Sequence, residues 1–230
     1  MTARHARGAP RRTTYHHGDL RRALVAAALE LLKTEGPDGL TVRAAARRAG
    51  VTHAATYRHF PSKDALLAAV AEEGFHSLER ALRRSLAAGR GPVEQLQAMA
   101  VAYVDFARRR PASFRLMLGP GAPSKAAYPP LEAAARATFA ILVEAIARCQ
   151  AQGRARRSPA IRLATAAWAT MHGLATLVAD TRVMQMKFAD LDPATLTRMV
   201  MEDLHRGLCG AVPGSRTSRA ATSGGDRSGS

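Results

Sequence analysis

Acidic residues are scarce in this chain: 18 Asp and Glu stand against 34 Lys and Arg in 230 residues, a formal net charge of +16. That balance excludes an acidic scaffold and a protein whose own field draws cations. It favours a polyanionic partner, nucleic acid or an anionic membrane surface. Arg far outnumbers Lys and Ala is abundant, a pattern that a GC-rich genome also produces. Cysteine is nearly absent. Cys149 and Cys209 lie far apart and no secretory apolar segment stands near the start, so the chain reads as a reduced, cytoplasmic protein with each Cys a small buried apolar residue. No run of about 18 or more apolar residues occurs, which excludes a transmembrane helix. Strand-like alternation is missing, and so are G-x-S-x-G, a Gly-rich loop after a strand, and H-E-x-x-H, so nothing argues for an enzyme. His16-His17 has only Asp19 beside it at ligand spacing, so neither a metal nor another cofactor is expected.

What is present is helix. Apolar residues make up 47% and charged residues 23%, an ordinary globular balance, and the long Ala/Leu/Arg segments repeat with a period near 3.6. The expected fold is all-α, with about nine helices. A basic arm over 1–14 and a Ser/Gly/Arg tail over 213–230 have nothing to bury and are expected to be disordered. Asp19 is placed to cap a helix over 20–34, which Gly36-Pro37-Asp38-Gly39 ends. Thr41 precedes a short helix over 42–49, Thr52 another through 58, and Ser62 a long one over 63–86. Further helices are expected over 92–109, 112–118, 130–152, 159–182 and 193–208, several opened by a proline that a first turn tolerates. The first three form a unit over 15–62, which the long helix joins to a bundle over 63–212.

The stretch TVRAAARRAGVTHAATYRHF, residues 41–60, carries the functional signal. Val42, Ala45, Ala46 and Ala49 form a narrow stripe of small apolar residues that lets a second helix approach, with Arg43 and Arg47 opposite. In Gly50-Val51-Thr52 the glycine can take φ > 0, the valine can plug the angle between helices, and the threonine can cap the next helix. This is the pattern of a helix-turn-helix, whose second helix enters the major groove. Thr52, His53, Ala54 and Ala55 then face base edges: His53 as donor or acceptor, the alanines against a thymine methyl. Tyr57, His59 and Lys63 are placed to hold phosphate oxygens. Spacing alone also fits a plain helical hairpin with Tyr57 and Phe60 in its core.

From Tyr15 to about Phe75 the chain resembles the TetR family of bacterial transcriptional regulators, most densely in AGVTHAATYRHFPSKDALL and in Gly39-Leu40-Thr41-Val42-Arg43 before it. The resemblance implies that Arg43 contacts a base, that His53 and Ala55 read bases, that Thr41 meets the DNA backbone at a helix start, and that Tyr57, His59 and Lys63 clamp phosphates. Thr56 departs from the pattern, which has a larger apolar residue there. Trp168-x-x-x-His172-Gly173 resembles the Trp-His-Gly type of TetR C-terminal domain. It implies a homodimer through 159–182 and 193–208, in which two recognition helices read a palindrome. A small-molecule effector would be taken up within 92–182. Candidate pocket residues are Met99, Tyr103, Met117, Trp168, Met171 and His172, for which packed core is the competing and more usual role. The implied function is a sequence-specific regulator, a repressor released from its operator by that effector. The alternatives from other classes are an effector-independent DNA-organising protein and a helical enzyme on a borrowed DNA-binding fold. Residues 13–60 carry seven Lys or Arg against four Asp or Glu. The expectation of DNA binding therefore rests on where Arg43, His53, Tyr57, His59 and Lys63 stand, with little support from net charge.

Overall fold

A computed structural model describes residues 17–188 and 190–209. The proposed arm over 1–14, the tail over 213–230, His16, and the side chains of Asp19 and Cys209 lie outside the described residues. Within them the chain forms ten α-helices and one 3-10 turn, with no strand. The order is α1 (His17–Gly39), α2 (Val42–Arg48), α3 (His53–His59), α4 (Lys63–Leu86), α5 (Pro92–Arg109), α6 (Pro111–Leu118), a 3-10 turn (Lys125–Ala127), α7 (Pro129–Ala151), α8 (Ala160–Ala179), α9 (Thr181–Lys187) and α10 (Pro193–Cys209).

Local chemistry sets these boundaries. Thr41, Thr52 and Ser62 stand in extended backbone, and each side-chain oxygen accepts the N–H three residues on, opening α2, α3 and α4. Proline occupies the first turn of α5, α6 and α7, where its missing N–H leaves no bond unmade. α1 leaves the helical region at Gly36, φ 73°, and Pro37 begins its last turn. Three expectations need correction. α1 is helical already at His17, so Asp19 lies within the helix and not ahead of it. The single helix expected over 159–182 breaks at Asp180, whose carboxylate accepts the Val183 N–H at 3.4 Å and so opens α9 as a separate helix. That helix makes ten α-helices where about nine were expected, and the 3-10 turn is an element with no counterpart in the sequence pattern.

α4 is the spine, packing against α1, α5, α6 and α7. Fully buried Leu24, Leu40, Leu66, Val104, Ile141 and Leu163 belong to a single apolar cluster that runs from α1 to α10. The small helical unit at the start therefore shares a core with the bundle. Among the described residues no helix is long and apolar enough to cross a membrane.

Candidate functional site

α2 and α3 meet through a short turn closed by backbone hydrogen bonds. Gly50, φ 68°, takes the left-handed conformation, so its N–H reaches the Arg47 carbonyl at 3.3 Å and the Val51 N–H reaches that of Ala46 at 3.0 Å. This closes the C-terminus of α2 and lets Thr52 open α3 two residues later. Beneath the turn Val42, Ala44, Ala45 and Ala46 are buried, and their small side chains let α2 sit close on α1. Thr56, the position that departs from the family pattern, is fully buried. Its hydroxyl donates to the Thr52 carbonyl at 3.1 Å, so the polar group is satisfied within its own helix. Phe60, 2% exposed, anchors the other end of α3.

The outward face of this pair is polar, basic and unused by the packing. Thr41, Arg43, Arg47, Thr52, His53, Ala54, Tyr57 and Arg58 are exposed, and Ala55 and His59 are half-buried. The His53 and Tyr57 rings meet edge to face with centroids 4.7 Å apart, which holds two of the proposed DNA contacts together on α3. From Gly39 to Lys63 the chain has no Asp or Glu, so no carboxylate of this segment opposes a phosphate. Lys63 is half-buried, and its ammonium donates to the Pro37 carbonyl at 2.9 Å, which ties the start of α4 to the end of α1. Two further residues brace the unit without any local signal to reveal them. Arg21 on α1 pairs with Glu72 on α4 at 3.2 Å, and its guanidinium lies 5.7 Å from the centre of the Phe60 ring. The partners are 51 positions apart, so only the folded chain unites them.

Within the bundle α4, α5, α7, α8 and α10 line an apolar cavity of about 460 Å³ that opens to the surface beside the exposed Thr165 and Trp168. Met99, Tyr103, Trp168 and Met171 stand on its wall, and Met117 and His172 do not. Met117 is buried between α6 and α4, so close to Gly74 that a Cβ there would fall 2.5 Å from its sulfur. His172 Nδ1 lies 3.0 Å from the Tyr103 hydroxyl, and its ring stacks on Trp168 with centroids 5.4 Å apart. Burial pushes the Tyr103 phenol well above its ordinary range and lowers the His172 imidazole, so both are neutral near pH 7 and share one hydrogen bond. The cavity also extends beyond the span expected for it. Phe75, Leu78 and Leu82 of α4 and Met201, Leu204 and His205 of α10 form part of the wall. Among the described residues no group of three His, Cys, Asp or Glu side chains stands together as a metal site.

An exposed, carboxylate-free helix-turn-helix, carried on a bundle with its own apolar cavity, defines a helix-turn-helix regulator. Residues 24–70 match the family model for bacterial regulatory proteins of the tetR family, and residues 96–204 match the tetracyclin repressor-like C-terminal domain. The chain belongs to the TetR family of bacterial transcriptional regulators. Over 52 residues it is 52% identical to the class C tetracycline repressor protein of Escherichia coli, which covers 23% of this chain and 24% of that protein. Over 96 residues it is 32% identical to the nucleoid occlusion factor SlmA of Vibrio vulnificus, 42% of this chain and 49% of that one. It thus spans between a quarter and a half of the length of these curated relatives. A solved protein of unknown function from Rhodococcus sp. RHA1 matches with a TM-score of 0.72 at 36% identity, over 86% of this chain and 99% of that one. The TetR family transcriptional regulator PfmR from Thermus thermophilus shares the fold, with a TM-score of 0.59 at 20% identity over 80% of this chain and 97% of that one.

Proposed function

We propose that this protein is a homodimeric repressor that binds a palindromic operator through α2 and α3 and is released by a small molecule taken into the bundle cavity. The observation that carries the proposal is the outward face of α3. His53, Ala54 and Tyr57 are exposed there, while the buried Thr56 and Phe60 hold the helix rigidly from beneath. Arg43, Thr52, His53, Ala54 and Ala55 face base edges in the major groove; Thr41, Tyr57, His59 and Lys63 set the register on the sugar–phosphate backbone. The reader spans 15–62 and the regulatory bundle 63–212. The chain acts in the cytoplasm, and we assign it no catalytic step.

The dimer is supported by α8. From Leu163 to Ala179 this helix has no Lys, Arg, Asp or Glu, yet Ala166, Ala169, Thr170, Gly173, Thr176 and Leu177 all lie outside the core. Ile161 and Trp168 on α8 and Met199 on α10 add apolar exposure of 53%, 37% and 48% to the same two helices. An uncharged face of small and apolar residues is what a second copy needs for close helix packing. Trp168, His172 and Gly173, all on α8, are what supports reading the bundle as the Trp-His-Gly type. The effector acts by population shift: it moves the dimer away from its DNA-competent state only by as much as it prefers the other state.

A DNA-organising protein without an effector is the second reading, favoured by the likeness to a nucleoid occlusion factor. Selection of bound DNA followed by footprinting separates the two. A palindrome with half-sites one helical turn apart, or a multiple of it, is the expected result. Binding without base preference, falling steeply with salt at every site alike, would overturn the proposal.

A further inference from the structure

The wall of the bundle cavity carries no Asp or Glu and a single fixed charge, the ammonium of Lys125. The threonine hydroxyls of the wall are already engaged. Thr138 donates to the Ala134 carbonyl at 2.8 Å, and Thr165 to that of Ile161 at 2.8 Å. Lys125 Nζ donates to the Met117 carbonyl at 3.3 Å and lies 5.8 Å from the centre of the Phe75 ring. One carbonyl occupies one of its three N–H donors, and no carboxylate forms an ion pair with it among the described residues. A half-buried ammonium beside an apolar cavity is costly to desolvate unless an anion meets it.

We infer that the effector is an organic acid: an apolar body of hydrocarbon or aromatic character that fills the cavity, with one carboxylate held by Lys125. The inference rests on reading this cavity as the effector site. An organic cation is disfavoured on two counts, because no carboxylate would receive it and Lys125 already covers the Phe75 face that a cation would seek. A neutral ligand of the same shape would bury the same apolar area and leave the ammonium without a counter-charge. The position of Lys125 also gives the ligand's charge a route to the reader. Its ammonium holds a carbonyl in the last turn of α6, and α6 packs against α1 as well as α4. A carboxylate that draws the ammonium towards itself weakens this tie to α6 and biases α1, the helix on which α2 rests.

The test titrates the full-length protein by calorimetry at neutral pH with decanoate, decanol and decylamine, which share one apolar body and differ in head group. Decanoate is expected to bind at least about tenfold more tightly than either of the others, as a charge-assisted bond to a half-buried ammonium provides. Lys125→Gln should bring decanoate down to the level of decanol while leaving decanol unchanged, and Lys125→Arg should keep the preference. Equal affinities for the three, a preference for the amine, no binding by any of them, or a preference that survives Lys125→Gln would each overturn the inference. Operator affinity measured alongside keeps the two readings apart. Lys125-dependent binding of decanoate with no effect on DNA retains the ligand class and removes the regulatory reading. Release of DNA by an uncharged or cationic compound, with decanoate inert, does the reverse.

Discussion

At the scale of single residues, the proposed reader divides into side chains placed to meet DNA and side chains that hold those in place. Arg43 and His53 are exposed on α2 and α3, the two helices proposed to face the groove, whereas Tyr57, 45% exposed, stands one turn further along α3. Arg43→Ala or His53→Ala should relax base preference at one or two operator positions, each mismatch there costing roughly 1–3 kcal/mol less than in the parent. Tyr57→Ala should weaken binding to all sequences alike. Competition binding with single-base operator variants reads the difference, and unchanged preference in Arg43→Ala and His53→Ala would mean that the recognition surface lies elsewhere. Lys63 makes a poorer probe than Tyr57, because its ammonium also holds the Pro37 carbonyl and its loss would loosen the junction of α1 with α4.

At the scale of elements, the α2–α3 turn depends on Gly50. Its φ of 68° is strained for any residue with a Cβ, although nothing lies within 4 Å of where that Cβ would be. Gly50→Ala should therefore destabilise the protein by about 1–2 kcal/mol through backbone strain alone, visible as a lower denaturation midpoint with an unchanged slope. A second prediction concerns the hydrogen bond that joins α5 to α8. Burial lowers the His172 pKa, so the unfolded chain binds this proton more readily than the folded one. Stability is then complete above the ordinary histidine value and falls as pH drops below it, a slope that His172→Gln should flatten in denaturation curves. These two features differ in how they could be read from the chain. The turn was legible because its determinants are adjacent: a glycine, a plug and a cap in three consecutive residues. The break at Asp180 was not, since the apolar period continues across it and only the capping bond to Val183 shows that a new helix begins. Lys125 escaped notice for the same reason in stronger form. It stands in a 3-10 turn after the Gly/Pro-rich loop, and its meaning comes entirely from Met117, Phe75 and a cavity built by helices remote in sequence.

At the scale of the molecule, the dimer should depend on α8. Beyond its own stretch of helix nothing lies within 4 Å of a Cβ placed at Gly173, so Gly173→Arg can fold as a single chain while setting a charge in the middle of an uncharged face. Sedimentation should show a monomer, and operator affinity should fall because the two half-sites are no longer bound together. A dimer that persists would place the interface on another surface. The apolar residues of the cavity were legible in part, Met99, Tyr103, Trp168 and Met171 being on its wall. Met117 and His172 have the same residue character and helical spacing but face α4 and α5, a distinction that periodicity alone cannot draw.

One apolar cluster runs from Leu24 on α1 to Met201 on α10. The reader therefore has no core of its own in which to melt separately, and any ligand that binds the folded bundle protects the reader too. At a concentration about 100 times its dissociation constant, such a ligand adds about 2.7 kcal/mol to the free energy of global unfolding. Hydrogen exchange should then slow by a comparable factor at the most protected amides of α1 and of the bundle alike, although the ligand touches neither α1 nor α2. Slowing confined to α4–α10 would show that the two halves open independently.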